Sequence, residues 1–78
     1  MSVLQQEIKG IFKLSFADFE FKVIKIIVFD LFGNALVIIE HPAEQEEINL
    51  SVHPDGTYLV SAIFDSELPP LRLKIYKS

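Results

Sequence analysis

Apolar residues recur at every second position in run after run of this chain, and each run is only as long as one short strand. Thr57–Phe64 is the clearest: Tyr58, Val60, Ala62 and Phe64 alternate with Thr57, Leu59, Ser61 and Ile63. Leu71–Lys77 sets Leu71, Leu73 and Ile75 against Arg72, Lys74 and Tyr76, and Lys9–Phe16 sets Phe12, Leu14 and Phe16 against Ile11, Lys13 and Ser15. A period of two is that of the pleat, which sends successive side chains to opposite faces of a sheet. The recurrence at three and four that marks a helix is missing, and the interior is written in Ile, Val, Phe and Leu, residues that fit a half-buried pleated surface. The chain is therefore expected to be all-β.

The remaining segments fall into place around those three. Val3–Ile8 reads as a strand rather than a helical turn, so residues 1–8 form an edge strand or a poorly ordered lead. Ala17-Asp18 is a break. Phe19–Phe29 opens with Phe19, Phe21 and Val23 on one face, after which the apolar phase passes to Ile24, Ile26 and Val28. A period of two shifts phase only through an extra residue, which predicts a bulge or strand junction near Val23-Ile24. "DLFGN" (Asp30–Asn34) is a hairpin turn feeding Ala35–Glu40, and His41-Pro42 ends that strand because proline removes a ladder donor. Glu46–Val52 places Ile48, Leu50 and Val52 on one face, and His53-Pro54-Asp55-Gly56 turns the chain. Pro69-Pro70 makes Asp65–Pro70 a loop. Six or seven short strands with turns about ten residues apart predict an antiparallel sandwich or small barrel.

A chain of 78 residues holds one core, hence one domain over 1–78. Half the residues are hydrophobic and seven are Phe, which offsets the short length. Cysteine is absent, which excludes disulfide staples, thiol nucleophiles and thiolate metal sites and leaves the redox compartment open. The net charge of −4 argues against nucleic acid, which needs clustered Lys and Arg. Between Glu40 and Leu71 there is no Lys or Arg, while Lys9, Lys13, Lys22 and Lys25 precede that stretch and Arg72, Lys74 and Lys77 follow it. This is the pattern of an acidic solvated face flanked by basic strands. The most apolar stretch, Val23–Val37, is interrupted by Lys25, Asp30, Gly33 and Asn34, so no membrane insertion is expected. The first residues show no basic region followed by an apolar run, so no signal peptide is expected.

Residues able to do chemistry are few. His41 and His53 each precede a proline in a predicted turn, and no spacing places them together on one face with Glu40 or Glu44. Ser15, Ser51, Ser61 and Ser66 lie in no nucleophile-elbow sequence. Adjacent Glu46 and Glu47 face opposite ways on a strand and cannot act as a pair. Glycines at 10, 33 and 56 make no phosphate loop. No catalytic residue, metal or cofactor is expected. Most of the Phe residues belong to the core; Phe32, in its turn, is expected to be exposed.

Three stretches taken together, "IIVFDLFGNALV" (26–37), "INLSVHPDGTYLVSA" (48–62) and "LRLKIYKS" (71–78), resemble the C-terminal sorting domains of the type IX secretion system, and a related group of small secreted bacterial domains with an Ig-like or fibronectin-like sandwich and no known activity. The chain departs from the sorting domains in lacking a Pro-Asn-Pro-like opening segment. The resemblance implies that Asp30 and Gly33 shape one hairpin, that Gly56 and Tyr58 open the penultimate strand after Pro54-Asp55, and that Arg72, Lys74 and Lys77 lie on a terminal strand able to bind a partner by strand addition. It further implies a secreted or cell-envelope setting. For Tyr58 the residues themselves suggest a core aromatic whose hydroxyl bonds nearby backbone, as in a tyrosine corner. The expected function is a non-catalytic module interacting through an edge strand, with a homodimer formed through the apolar strand Ile24–Val28 as the alternative. A protein partner is expected in either case, and the chain itself as a monomer or weak homodimer.

Overall fold

The computed structural model describes residues 4–16 and 20–78, with side chains from Ile8 onward. Seven strands follow one another: β1 (Leu4–Ile8), β2 (Ile11–Ser15), β3 (Val23–Phe29), β4 (Ala35–Glu40), β5 (Gln45–Asn49), β6 (Gly56–Phe64) and β7 (Leu71–Lys77). They form two antiparallel sheets, ordered β1-β2-β5 and β4-β3-β6-β7. This is a small antiparallel β-sandwich: strands 1, 2 and 5 oppose strands 3, 6 and 7, and the chain crosses between sheets after β2, β4 and β5. The fourth strand joins the sheet of β3, β6 and β7, a three-plus-four partition.

One core lies between the sheets. Phe12 and Leu14 of β2 and Ile48 of β5 meet Ile26 and Val28 of β3, Tyr58, Val60 and Ala62 of β6, and Ile75 of β7. Among the described residues no polar or charged side chain is buried. A three-stranded sheet cannot cover a four-stranded one completely. The flanks of the larger sheet, Leu36, Val37 and Ile39 on one side and Leu71 and Leu73 on the other, are accordingly only partly buried against the core.

The expected phase slip in β3 is a register shift between Val23 and Lys25: Val23 pairs with Phe64, Lys25 with Ile63, and Ile24 is the extra residue. Val23 and Ile26 can both face inward only because of it. A second shift sits where Val28 pairs with Val37 and Phe29 with Ala35, leaving Leu36 as the extra residue. That bulge breaks the alternation of β4 and lets consecutive Leu36 and Val37 both pack against the core.

Two expectations about strand length are corrected. β3 starts at Val23 rather than Phe19, and Phe21 is 38% exposed rather than core. Phe19, with the Ala17-Asp18 break, lies outside the described residues. β5 ends at Asn49, so Val52 is 88% exposed instead of continuing the inward row of Ile48 and Leu50. The cause is local: Asn49 Oδ1 accepts from the Ser51 N–H at 2.9 Å and the Ser51 hydroxyl at 2.6 Å, an Asx turn that bends the chain before Val52.

β1 and β2 are joined by the two-residue turn Lys9-Gly10, both at positive φ (53° and 82°). This is the type I′ pattern that matches strand twist. Gly10 is also held close: its carbonyl accepts from the Leu50 N–H at 2.8 Å. A methyl group there would lie 2.9 Å from Lys77 Cε and 3.0 Å from Ser51 Cα. Gly33, at φ 87°, has open space where its side chain would be. Gly33→Ala should therefore cost about 1 kcal/mol of backbone strain, and Gly10→Ala roughly 2–4 kcal/mol from strain plus displaced backbone. Urea midpoints at unchanged slope measure both, and equal losses would contradict the close approach.

Candidate functional site

Four structural features meet at one end of the sandwich: the Lys9-Gly10 turn, the Asp30–Asn34 turn, the stretch from Leu50 to Asp55, and the end of β7. In the first hairpin of the larger sheet, the Gly33 N–H donates to the Asp30 carbonyl at 3.2 Å and the Asp30 N–H to the Asn34 carbonyl at 3.0 Å. Asp30 Oδ1 accepts from the N–H groups of Phe32 and Asn34, and Oδ2 from Asn34 Nδ2, each at 2.9 Å. These bonds, led by the Asn34 side chain, hold the Asp30 carboxyl below its ordinary value of 3.8. Asp30 is thus committed to shaping the turn. Leu31 and Phe32 are pushed outward, and Phe32 is 91% exposed, as the sequence suggests.

On the facing turn, Tyr58 lies buried at the start of β6 and its hydroxyl donates to the Pro54 carbonyl four residues earlier. This is the geometry of a tyrosine corner. The His53 ring meets Tyr58 edge-on, with centroids 6.4 Å apart. Gly56, at φ 143°, opens β6. Between the two turns runs an open groove of about 250 Å³, walled by Leu31, Phe32, Leu36, His53, Pro54 and Tyr58. Its carboxylates are both occupied, Asp30 as described and Asp55 by Lys77 Nζ at 2.8 Å.

That ion pair separates the three basic residues of the terminal strand. Arg72 and Lys74 are on the outward face of β7 and exposed, and among the described residues neither makes an ion pair. Lys77 has the opposite parity: its side chain is only 11% exposed, lies along Gly10 and ends on Asp55. The parity of 72, 74 and 77 in the sequence carries this signal, since an odd separation changes face. β7 itself is an edge strand, paired with β6 over all seven residues from Leu71 to Lys77 without a register shift.

The other candidates scatter. His41, at φ 51° after β4, donates its N–H to the Ile24 carbonyl at 2.9 Å. It sits at the opposite end of the sheet from His53. Among the described residues no three His, Asp or Glu side chains are grouped as metal ligands would be. Glu46 and Glu47 do face opposite ways: Glu47 points out with Lys13 at 3.8 Å, and Glu46 Oε1 accepts from the Ala43 N–H at 2.7 Å. β3 lies between β4 and β6, so both its ladder edges are occupied and Ile24–Val28 offers a partner side chains only. No helix of the described residues is long and apolar enough to cross a membrane. Comparison of the chain with protein-family models, with curated proteins and with solved structures finds no match.

Two outcomes test the corner end. Tyr58→Phe should lower stability by about 1 kcal/mol, because the ring stays buried while one hydrogen bond is lost and Pro54, at the surface, regains water. A loss above about 3 kcal/mol, read from urea unfolding, would mean the hydroxyl holds more than this turn. For Asp30, a folded-state value below the unfolded one means its contribution is complete above the ordinary carboxylate range and is lost as pH falls through the lowered value. NMR titration of its carboxyl should give a midpoint under 3.8, with the Phe32 and Asn34 amides shifting together with it.

Proposed function

We propose that the chain is a non-catalytic, Ig-like and fibronectin-like interaction module that takes a protein partner by strand addition along β7. The observation that carries this reading is the unbroken β6–β7 ladder, which leaves the other side of β7 as a seven-residue edge, open among the described residues. An added strand would gain main-chain hydrogen bonds along that edge, and alternate side chains would set its specificity. Natural edges are commonly blunted by proline, bulges or inward charges. β7 has no proline and no register shift; Arg72 and Lys74 point outward, and its one charge of inward parity, Lys77, sits at the last residue and is neutralised by Asp55. β4, the other edge of the same sheet, is interrupted by the bulge at Leu36. The free cations favour a partner strand with acidic residues at alternate positions. A sorting role, in which this edge is presented to export machinery, is the specific form of the reading that the type IX resemblance suggests.

Selection from a random peptide display library is expected to enrich extended sequences with alternating acidic residues. Their binding should slow amide exchange along Leu71–Lys77, and the double variant Arg72→Glu with Lys74→Glu should reverse the charge preference. Peptides that leave the β7 amides unprotected, or a selection without enrichment, would overturn the proposal.

A further inference from the structure

The two sheets differ in what they show to solvent. The outer face of β2 and β5 carries Ser15, Gln45 and Asn49 and the Lys13–Glu47 pair, with one apolar residue, Ile11, beside Ile8 of β1 at its end. The outer face of the larger sheet is apolar across its middle: Ile27 and Phe29 on β3, Ile38 on β4, and Leu59 and Ile63 on β6. Ile38 is 56% exposed, and the other four are half-buried by their neighbours. Register aligns them in rows, Ile38–Ile27–Ser61–Arg72 and Phe29–Leu59–Lys74, with Ile63 in the end row Glu40–Lys25–Ile63, so the apolar middle is bounded by Arg72 and Lys74 on the β7 side and by the Lys25–Glu40 pair at one end. Glu40, bonded to Lys25 at 3.3 Å, marks the β4 flank, and Arg72 and Lys74 mark the β7 flank.

We infer that this face, the outer surface of β4-β3-β6-β7, is a homodimer interface that binds a second copy of the chain, face to face, about a twofold axis parallel to the strands. Charge selects the occupant and the axis. A twofold axis in the plane of the face can run along the strands or across them. Across them, β7 lies over β7 of the other copy and Arg72 and Lys74 of both copies oppose each other. Along them, β7 lies over β4 of the other copy, so Arg72 comes within a side chain's reach of the Glu40 carboxylate, and the apolar middles stack as β3 over β6. Only the second arrangement pairs unlike charges around an apolar centre.

Area sets the strength. Four strands about 4.8 Å apart and roughly seven residues long cover on the order of 450 Å², against about 800 Å² per partner in a standard stable interface. The dimer is therefore weak and forms with rising concentration. It uses side chains on the face, not the free ladder edge of β7; Arg72 takes part in both, and Ile38→Asp, which touches only the face, separates the dimer from strand addition.

Sedimentation velocity over a concentration series into the millimolar range tests it. The unaltered chain should show reversible dimerisation. Ile38→Asp, at an exposed position that leaves the core intact, should weaken it by at least about tenfold. Arg72→Glu and Glu40→Arg should each weaken it about tenfold, and the double variant should return to within about threefold of the unaltered chain. Amide spectra of each variant confirm that the fold is kept, and peptide binding at β7 should survive Ile38→Asp. A strict monomer throughout, a dimer indifferent to Ile38→Asp, or charge variants without rescue would each overturn the inference.

Discussion

The pleat gives every strand two faces, and a chain of this length can bury only one layer between two sheets. The structure is organised by that constraint. Ile26, Val28, Val60 and Ala62 from the middle of the larger sheet meet Phe12, Leu14 and Ile48 from the smaller one, and all are essentially inaccessible to water. Because no polar side chain is enclosed among the described residues, the core needs no internal hydrogen-bond network and is held by burial and packing. The second face of each sheet is left over. On the smaller sheet it is mostly polar; on the larger it is apolar across its middle. The unequal disposal of surface follows from having one core and seven strands.

Small polar devices then decide where each strand stops. Asp30 gathers three donors to close one hairpin, Asn49 bends the chain out of β5, and Tyr58 ties β6 to the turn before it. Each acts within four residues of its own position. Lys77 works between the sheets: its stem covers Gly10 in one sheet while its ammonium bonds Asp55 at the head of a strand in the other. The three ion pairs among the described residues join the basic outer stretches of the chain to the acidic middle, Lys13 to Glu47, Lys25 to Glu40 and Lys77 to Asp55. Two of them are exposed cross-strand neighbours worth only a fraction of a kcal/mol each, roughly 0.2–1.

Most of the architecture was legible because it is local. Alternation identified β2, β6 and β7, and a phase slip located the β3 bulge. Turn residues marked the hairpins, and Tyr58 just after its turn suggested a corner bond to nearby backbone, which the structure places on Pro54. The misreadings were also physical. Val52 continues the phase of Ile48 and Leu50, but an Asx turn two residues earlier takes it out of the sheet. Phe21 fits the strand pattern but lies ahead of the first paired residue. Lys9-Gly10 supports a two-residue turn that apolar pattern alone does not mark, because the strand signal runs straight through it. For the candidate surfaces, Arg72 and Lys74 could be placed on one face from parity; that Lys77 is withdrawn to Asp55 depends on a contact across 22 residues.

The sequence by itself determined the class of fold, the inward row of each strand and the turns, because each is set by residues a few positions apart acting through pleat, φ preference and side-chain-to-backbone bonds. Only the tertiary structure decided which strands share a sheet, which are edges and which are central. Those depend on pairings between distant segments that the period of two leaves open. That is why the apolar run Ile24–Val28 became a central strand rather than a free edge, and why the terminal strand, of similar pattern, became an open one.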